Sequence, residues 1–463
     1  MNWPVETLLT VHIIVVSTFL AVVLSILLRR GLFHWTSAGF WAWVSFALYY
    51  ALNPLAALYT GTLNRYRICL AIAGGTERGL WILGVALSGM TAFFWAYLRT
   101  KPGKITWRLR DDTFTFPMVA FAVLFGAFGV YSLLSYRAFV VDTGRELAFE
   151  GGRHVGQVTG YESSAYRFLT IPILLLVSSK SHGARVFGWI AFGLWMLFAL
   201  PNGWARAGLV SMLIAVSMVE VIQRKAAWPR WFFVPLLLVF TVALTMRGHR
   251  MWTLETSSNE LLALSRKAVQ NLDQSLLDIL GSGDAAALST WYLESWVTEQ
   301  YTGYSYGLPL INYALTGWIP GRILPQKYFL VDWLAARHRP LPNTQVEWLL
   351  YGAKSTLFGS FYQDGWLVGV ILMAAGVGVL SRKMDGMMLP EAPLLVRATG
   401  AAWMSVLWMV WHSSGIWALI ALGVLVMPAL AMWLFAPREP AASLHEITYR
   451  SYRPNCRKWE RVE

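Results

Sequence analysis

Unbroken apolar runs of about twenty residues, following one another along the chain, constrain this protein more than any other feature, because that length lets an α-helix cross a bilayer. Strands of a membrane barrel would read instead as alternating segments of about ten residues. Clear runs lie at 8–28, 38–59, 79–98, 114–136, 185–200, 207–222, 231–246, 364–381, 394–411 and 415–436, with a weaker one near 163–179. The expected fold is an all-α polytopic membrane protein of about eleven transmembrane helices. Of the residues, 56% are hydrophobic and 14% charged, against about 25% charged in an ordinary soluble domain. So little polar surface excludes a soluble multidomain enzyme and a disordered or fibrous chain. The first run reads as a retained span. No positive stretch precedes it, and Arg29 and Arg30 follow it where a signal cleavage site would stand.

Lysine and arginine number 38 against 25 acidic residues, a net charge of +13. On a membrane chain such an excess belongs first to loops retained on the cytoplasmic side. The basic loops alternate: Arg29 and Arg30, then Lys101, Lys104, Arg108 and Arg110, then Lys180 and Arg185, then Arg224, Lys225 and Arg230, then Arg382 and Lys383, then a tail with Arg450, Arg453, Arg457, Lys458 and Arg461. The amino terminus is expected outside and the carboxyl terminus inside. The chain divides into spans one to eight at 1–246, a large external (periplasmic) loop at 247–363, spans nine to eleven at 364–436, and a basic cytoplasmic tail at 437–463. The loop is expected to be partly helical. Ser257 and Glu260 form a capping-box pattern ahead of Leu261, Leu264, Ala268, Leu272, Leu276 and Leu280. Asp284 stands ahead of a second helix carrying Leu288, Trp291 and Trp296. Cys69 and Cys456 fall on opposite faces and support neither a disulfide framework nor a metal site. The 25 tryptophans suit interfacial belts, with glycan stacking by a few left unassigned.

Three stretches on the external side carry chemistry. In Asn202-Gly203-Trp204-Ala205-Arg206 the arginine opens an otherwise apolar helix. It reads either as a cation snorkelling to headgroups or as an anion site at the depth of a lipid-linked phosphate. Arg247-Gly248-His249-Arg250 puts positive charge where the topology disfavours it, as a membrane anchor or as a pyrophosphate clamp. The third stretch runs from Tyr304-Ser305-Tyr306-Gly307 through Ile319-Pro320-Gly321-Arg322, Pro325 and Lys327 to Arg337-His338-Arg339, and ends at Phe358 to Gly369. The histidines have no companions at ligand spacing, so no metal and no cofactor is expected. His338, between two arginines that would lower its pKa, and Glu347 compete as a proton acceptor.

The pattern Tyr-x-Tyr-Gly, then Ile-Pro-Gly-Arg with a following Pro and Lys, then Gly-x-Phe-Tyr-x-Asp-Gly-Trp entering a helix, resembles the Wzy-type oligosaccharide repeat-unit polymerases of O-antigen and exopolysaccharide biosynthesis. The arginine opening a helix at Arg206 is similar to one in that family and in the related O-antigen ligases. The resemblance covers about residues 200–385. It implies a glycosyltransferase of the bacterial cytoplasmic (inner) membrane with its active site on the periplasmic face. Such an enzyme is metal-independent and inverting, and moves a glycan from undecaprenyl pyrophosphate to the terminal sugar of another lipid-linked unit. The implied catalytic residues are His338 and Glu347; Arg206, Arg247, Arg250, Arg322, Lys327 and Tyr306 are the implied substrate contacts. Implied partners are undecaprenyl-pyrophosphate-linked oligosaccharides, the lipid bilayer and a chain-length regulator, and not nucleic acid. Two neighbouring functions fit the same outline: an O-antigen ligase, which differs in its acceptor, and a lipid-oligosaccharide flippase or other transporter, which is no enzyme.

Overall fold

A computed structural model of the protein describes residues 3–103, 165–199, 206–231, 287–317, 356–390 and 392–411, with shorter pieces near 119–134, 233, 319, 323–330, 333 and 429–434. Most of the apolar runs 231–246 and 415–436 lies outside the described residues, as do the helix expected over 257–280, Asp284, and the tail with Cys456; within the run 114–136 the helix Ala122–Tyr131 is described. The described residues are helical, with no strand among them. In chain order the helices are α1 (Val5–Arg29), α2 (Ala38–Phe46), α3 (Asn53–Leu58), α4 (Leu63–Ile72), α5 (Thr76–Arg99), α6 (Thr170–Ser178), α7 (His182–Ala199), α8 (Arg206–Gln223), α9 (Ala287–Val297), α10 (Leu308–Asn312), α11 (Leu357–Asp385) and α12 (Leu394–Val410). A π-helical stretch, Ala47–Leu52, joins α2 to α3. Among the described residues three helices are long and apolar enough to cross a membrane, at Val5–Arg29, Thr76–Arg99 and Leu357–Met388. Spans beyond these three remain an expectation of the sequence.

Contacts at the helix ends set their directions. Arg30 at the end of α1 donates to the Leu98 carbonyl near the end of α5, at 3.0 Å. At the other end of that pair, the Thr76 hydroxyl donates to the Trp3 carbonyl at 3.3 Å. Trp81 and Tyr362 meet near the starts of α5 and α11, and Tyr97 and Asp385 near their ends. The three long helices therefore run parallel, while α12 returns beside α11 and brings the Trp411 carbonyl to the Leu357 amide at 3.2 Å. One consequence is a basic end. Arg29, Arg30, Arg99, Lys101, Arg382 and Lys383 gather there, with Arg224 and Arg230 beyond α8, whose Ser217 accepts from the Trp35 indole at 2.7 Å.

Close packing rests on small residues. A Cβ on Gly89 would stand 2.8 Å from the Phe358 ring and the Val370 side chain, and one on Gly378 would stand 2.4 Å from the Phe93 carbonyl oxygen. Membrane helices approach each other in this way, because lipid supplies no hydrophobic drive to join them. Phe46, Phe93, Phe358 and Trp411 fill the space beside this seam, with ring centroids 4.6–5.9 Å apart where they touch. At the basic end Asp385 ties three elements together. It accepts from the Ala38 amide at the start of α2 (2.9 Å), the Tyr97 hydroxyl (2.6 Å) and Arg382 (2.7 Å).

The second helix expected in the external segment is present as α9, and two features of this region bear on the site. Within the segment expected as a loop, α9 is buried, with Leu288, Trp291, Tyr292 and Leu293 all at zero exposure. It packs on α4, α5 and α11 rather than standing apart. Also, α11 begins at Leu357, seven residues before the apolar run that marks it, with Thr356 accepting from the Gly359 amide as its cap. The last turns of the expected loop are therefore the first turns of this helix.

Candidate functional site

The end opposite the basic one has cations too, and those described are paired. Arg67 bonds to Glu6, Arg65 donates to Thr290, and Arg78 meets Glu299. The last of these pairs organises a site. Arg78 and Trp81 lie on one face of the first turns of α5, three residues apart. Glu299 arrives on the π-helical turn Thr298–Thr302 that continues α9, and Tyr362 on the second turn of α11. Arg78 donates from both terminal nitrogens to the two carboxylate oxygens of Glu299, 2.7 Å each. This is the forked geometry that a lysine cannot reproduce. The Tyr362 hydroxyl donates to Glu299 Oε1 and accepts from the Trp81 indole at 3.0 Å.

This arrangement fixes charge. Partial burial works to raise the Glu299 carboxyl, but the Arg78 fork and the Tyr362 hydroxyl outweigh it and hold the group below the ordinary 4.5. Glu299 is ionised at neutral pH with both oxygens engaged, so it orients neighbours rather than taking protons. Tyr304 lies against Tyr362, ring centroids 6.2 Å apart, and burial together with the Glu299 charge raises its phenol.

The turn after Glu299 is laced to α11. The Ser305 amide donates to the Gln363 carbonyl at 2.8 Å, and the Ser305 hydroxyl and the Gly307 amide (3.1 Å) both donate to Asp364 Oδ1. Gly303 and Gly307 take φ of 64° and 73°, and Tyr306 between them takes 52° without being a glycine. Directly after Asp364 the helix breaks, and Trp366 sits at φ 56°, ψ −150°. A side-chain-bearing residue held at positive φ costs on the order of 1–3 kcal/mol, and such strain concentrates at functional sites. Here it occurs twice, on either side of Asp364. The break turns the Trp366 indole over that of Trp81, stacked at 5.7 Å and 24°. Farther along, Gly369 lies so close to the Phe361 carbonyl that a Cβ would be 2.6 Å from it.

Of the site residues expected from sequence, Tyr306 lies in this corner, 74% exposed. Arg206 is the first residue of α8, and the helix direction puts it at the end away from the basic one; its side chain is outside the described residues. Arg247, Arg250, Arg322, Lys327, His338 and Glu347 also lie outside the described residues. Arg78, Trp81 and Glu299 escaped the sequence reading. For Arg78 a signal existed: it is a cation opening an apolar span on the side where the topology disfavours positive charge, the same anomaly that singled out Arg250. Compared with protein-family models, curated proteins and solved structures, the chain has no match in any of the three.

Proposed function

We propose that the protein is a polymerase of lipid-linked oligosaccharide repeat units in the bacterial inner membrane, working on the periplasmic face. The observation that carries this reading is the joining of two segments picked out by their residue pattern alone. Tyr304–Gly307 and Tyr362–Trp366, nearly sixty residues apart, are bound through Ser305, Gly307, Gln363 and Asp364 at the end opposite the basic one. In the reaction an acceptor sugar hydroxyl oxygen attacks the anomeric carbon of the donor glycan. The bond from that carbon to the pyrophosphate oxygen breaks, and undecaprenyl pyrophosphate leaves with the electron pair. The leaving group gains charge while the sugar becomes oxocarbenium-like, so fixed guanidinium groups stabilise the transition state. Arg206, Arg247, Arg250, Arg322 and Lys327 are assigned that role, and His338 or Glu347 takes the acceptor proton. Glu299, already paired, positions the corner instead.

Deleting the gene and profiling the surface glycan tests the reading. A polymerase leaves chains one repeat long. A ligase leaves no surface chains and an accumulated lipid-linked polymer. A flippase leaves unpolymerised units on the cytoplasmic side. With purified protein and lipid-linked repeat units, chain growth should persist in EDTA.

A further inference from the structure

The aromatic surface above the charged corner has a definite chemistry of its own. Trp366 is 43% exposed, and its indole stacks on that of Trp81 with no second ring contact among the described residues. Trp81 is held in turn: its indole N–H is bound to Tyr362, Tyr362 to Glu299, and Glu299 to Arg78. The platform is therefore fixed before anything lands on it. A tryptophan of an interfacial belt needs none of this, since it reaches into the headgroups from an ordinary helix. Glycine would adopt the Trp366 backbone without strain, yet the position carries the bulkiest side chain there is.

We infer that Trp366, backed by Trp81 and with the exposed Tyr306 on the turn tied to Asp364, is a stacking subsite for an uncharged sugar ring of the glycan chain. A pyranose offers an apolar C–H face that matches an indole, and a rim of hydroxyls that matches fixed polar groups. Among the described residues bonded into this corner, one guanidinium, Arg78, stands against two carboxylates, Glu299 and Asp364. Among these residues negative charge prevails, which suits an uncharged ring better than pyrophosphate; the pyrophosphate belongs with the arginines assigned to the leaving group. The subsite holds sugars at a distance from the bond that breaks. The inference rests on the polymerase reading for the glycan's attachment to lipid, whereas the recognition of the ring rests on the platform.

The probe is the oligosaccharide freed by mild acid from the lipid-linked pool of the producing cells, followed by saturation-transfer NMR on the full-length protein in micelles. Wild type should transfer magnetisation to ring C–H protons. Trp366→Gly relaxes the backbone, so it should melt no lower than wild type, and it should bind about tenfold more weakly, the loss of one aromatic contact and the area it buries. Trp366→Phe keeps a ring and should stay within about threefold. If Trp366→Gly does not fold, Tyr306→Gly, which relaxes the second strained residue, should weaken binding about threefold. Wild-type binding by a folded Trp366→Gly protein overturns the subsite, as does a wild-type protein that does not bind the probe. The two proposals fail separately. Binding that depends on Trp366 in a cell whose gene deletion leaves chain length unchanged keeps the subsite and removes the polymerase. One-repeat chains in the deletion strain, together with normal binding by Trp366→Gly, do the reverse.

Discussion

Arg78 and Glu299 each need the other. Their side chains are 15% and 24% exposed, so truncating one leaves the other's charge half out of water. For a fully buried pair such a loss costs about 3–5 kcal/mol; here Arg78→Met or Glu299→Gln should cost about 2 kcal/mol, read as a lower melting midpoint in detergent. The double variant should cost less than the two singles together, because no orphan charge is left. Its pH dependence has a fixed sign. Glu299 is held below 4.5 when folded, so its contribution is complete above that value and is lost as the pH falls through the lower folded value. Acid melting of Glu299→Gln should therefore be shallower than that of wild type below about pH 4.5. Arg206 supplies a second test. If it holds pyrophosphate, Arg206→Lys should reduce polymer formation by about 10²–10³ without lowering the melting midpoint, since lysine snorkels equally well; wild-type rates would make it an anchor. At this scale the sequence was half legible. Tyr306 stands out within its motif, but Glu299 looks like any acid following a tryptophan-rich helix until its partner, 221 residues away, is known.

At the scale of elements, legibility follows locality. Length and apolarity are local properties, so α1, α5, α7, α8 and α12 lie within a few residues of where the apolar runs place them. The start of α11 was hidden because Ser360, Tyr362, Gln363 and Asp364 read as loop. They can be helical because distant groups satisfy them, Tyr362 through Trp81 and Glu299, and Asp364 through Ser305 and Gly307. No local pattern announces the break at Gly365–Trp366 either. The seam between α5 and α11 gives a controlled prediction. Gly378→Ala drives a methyl against the Phe93 carbonyl oxygen, which is backbone and cannot swing aside, whereas Gly376 has nothing within 4 Å of its missing Cβ. Gly378→Ala should destabilise by about 1–3 kcal/mol and Gly376→Ala should be neutral, compared by thermal melting of the two proteins side by side. Equal midpoints would mean that the seam is looser than described.

For the whole molecule, the alternation of basic loops sets the expected orientation of the helices, and the parallel course of α1, α5 and α11 gathers their basic ends together. With Cys69 and Cys456 replaced by alanine, a cysteine at Gly61, which is exposed at the site end with open space around it, should react with an impermeant maleimide in intact cells. One at Lys101, exposed at the basic end, should react only after permeabilisation. The opposite outcome inverts the expected topology and removes the proposed periplasmic placement of the site. The ties between distant segments have a further consequence, for the order in which the molecule can be finished. Arg78 leaves the ribosome 221 residues before Glu299, and Glu299 63 residues before Tyr362. Until then the guanidinium lacks the two carboxylate oxygens that it holds in the finished molecule. The corner closes late in synthesis, and only if every intervening segment has been threaded in the right direction, since one inverted span would deliver the carboxylate to the wrong leaflet. A misthreaded chain is thus left with an unmatched charge at the membrane edge, and differs from a finished one before it has met any ligand.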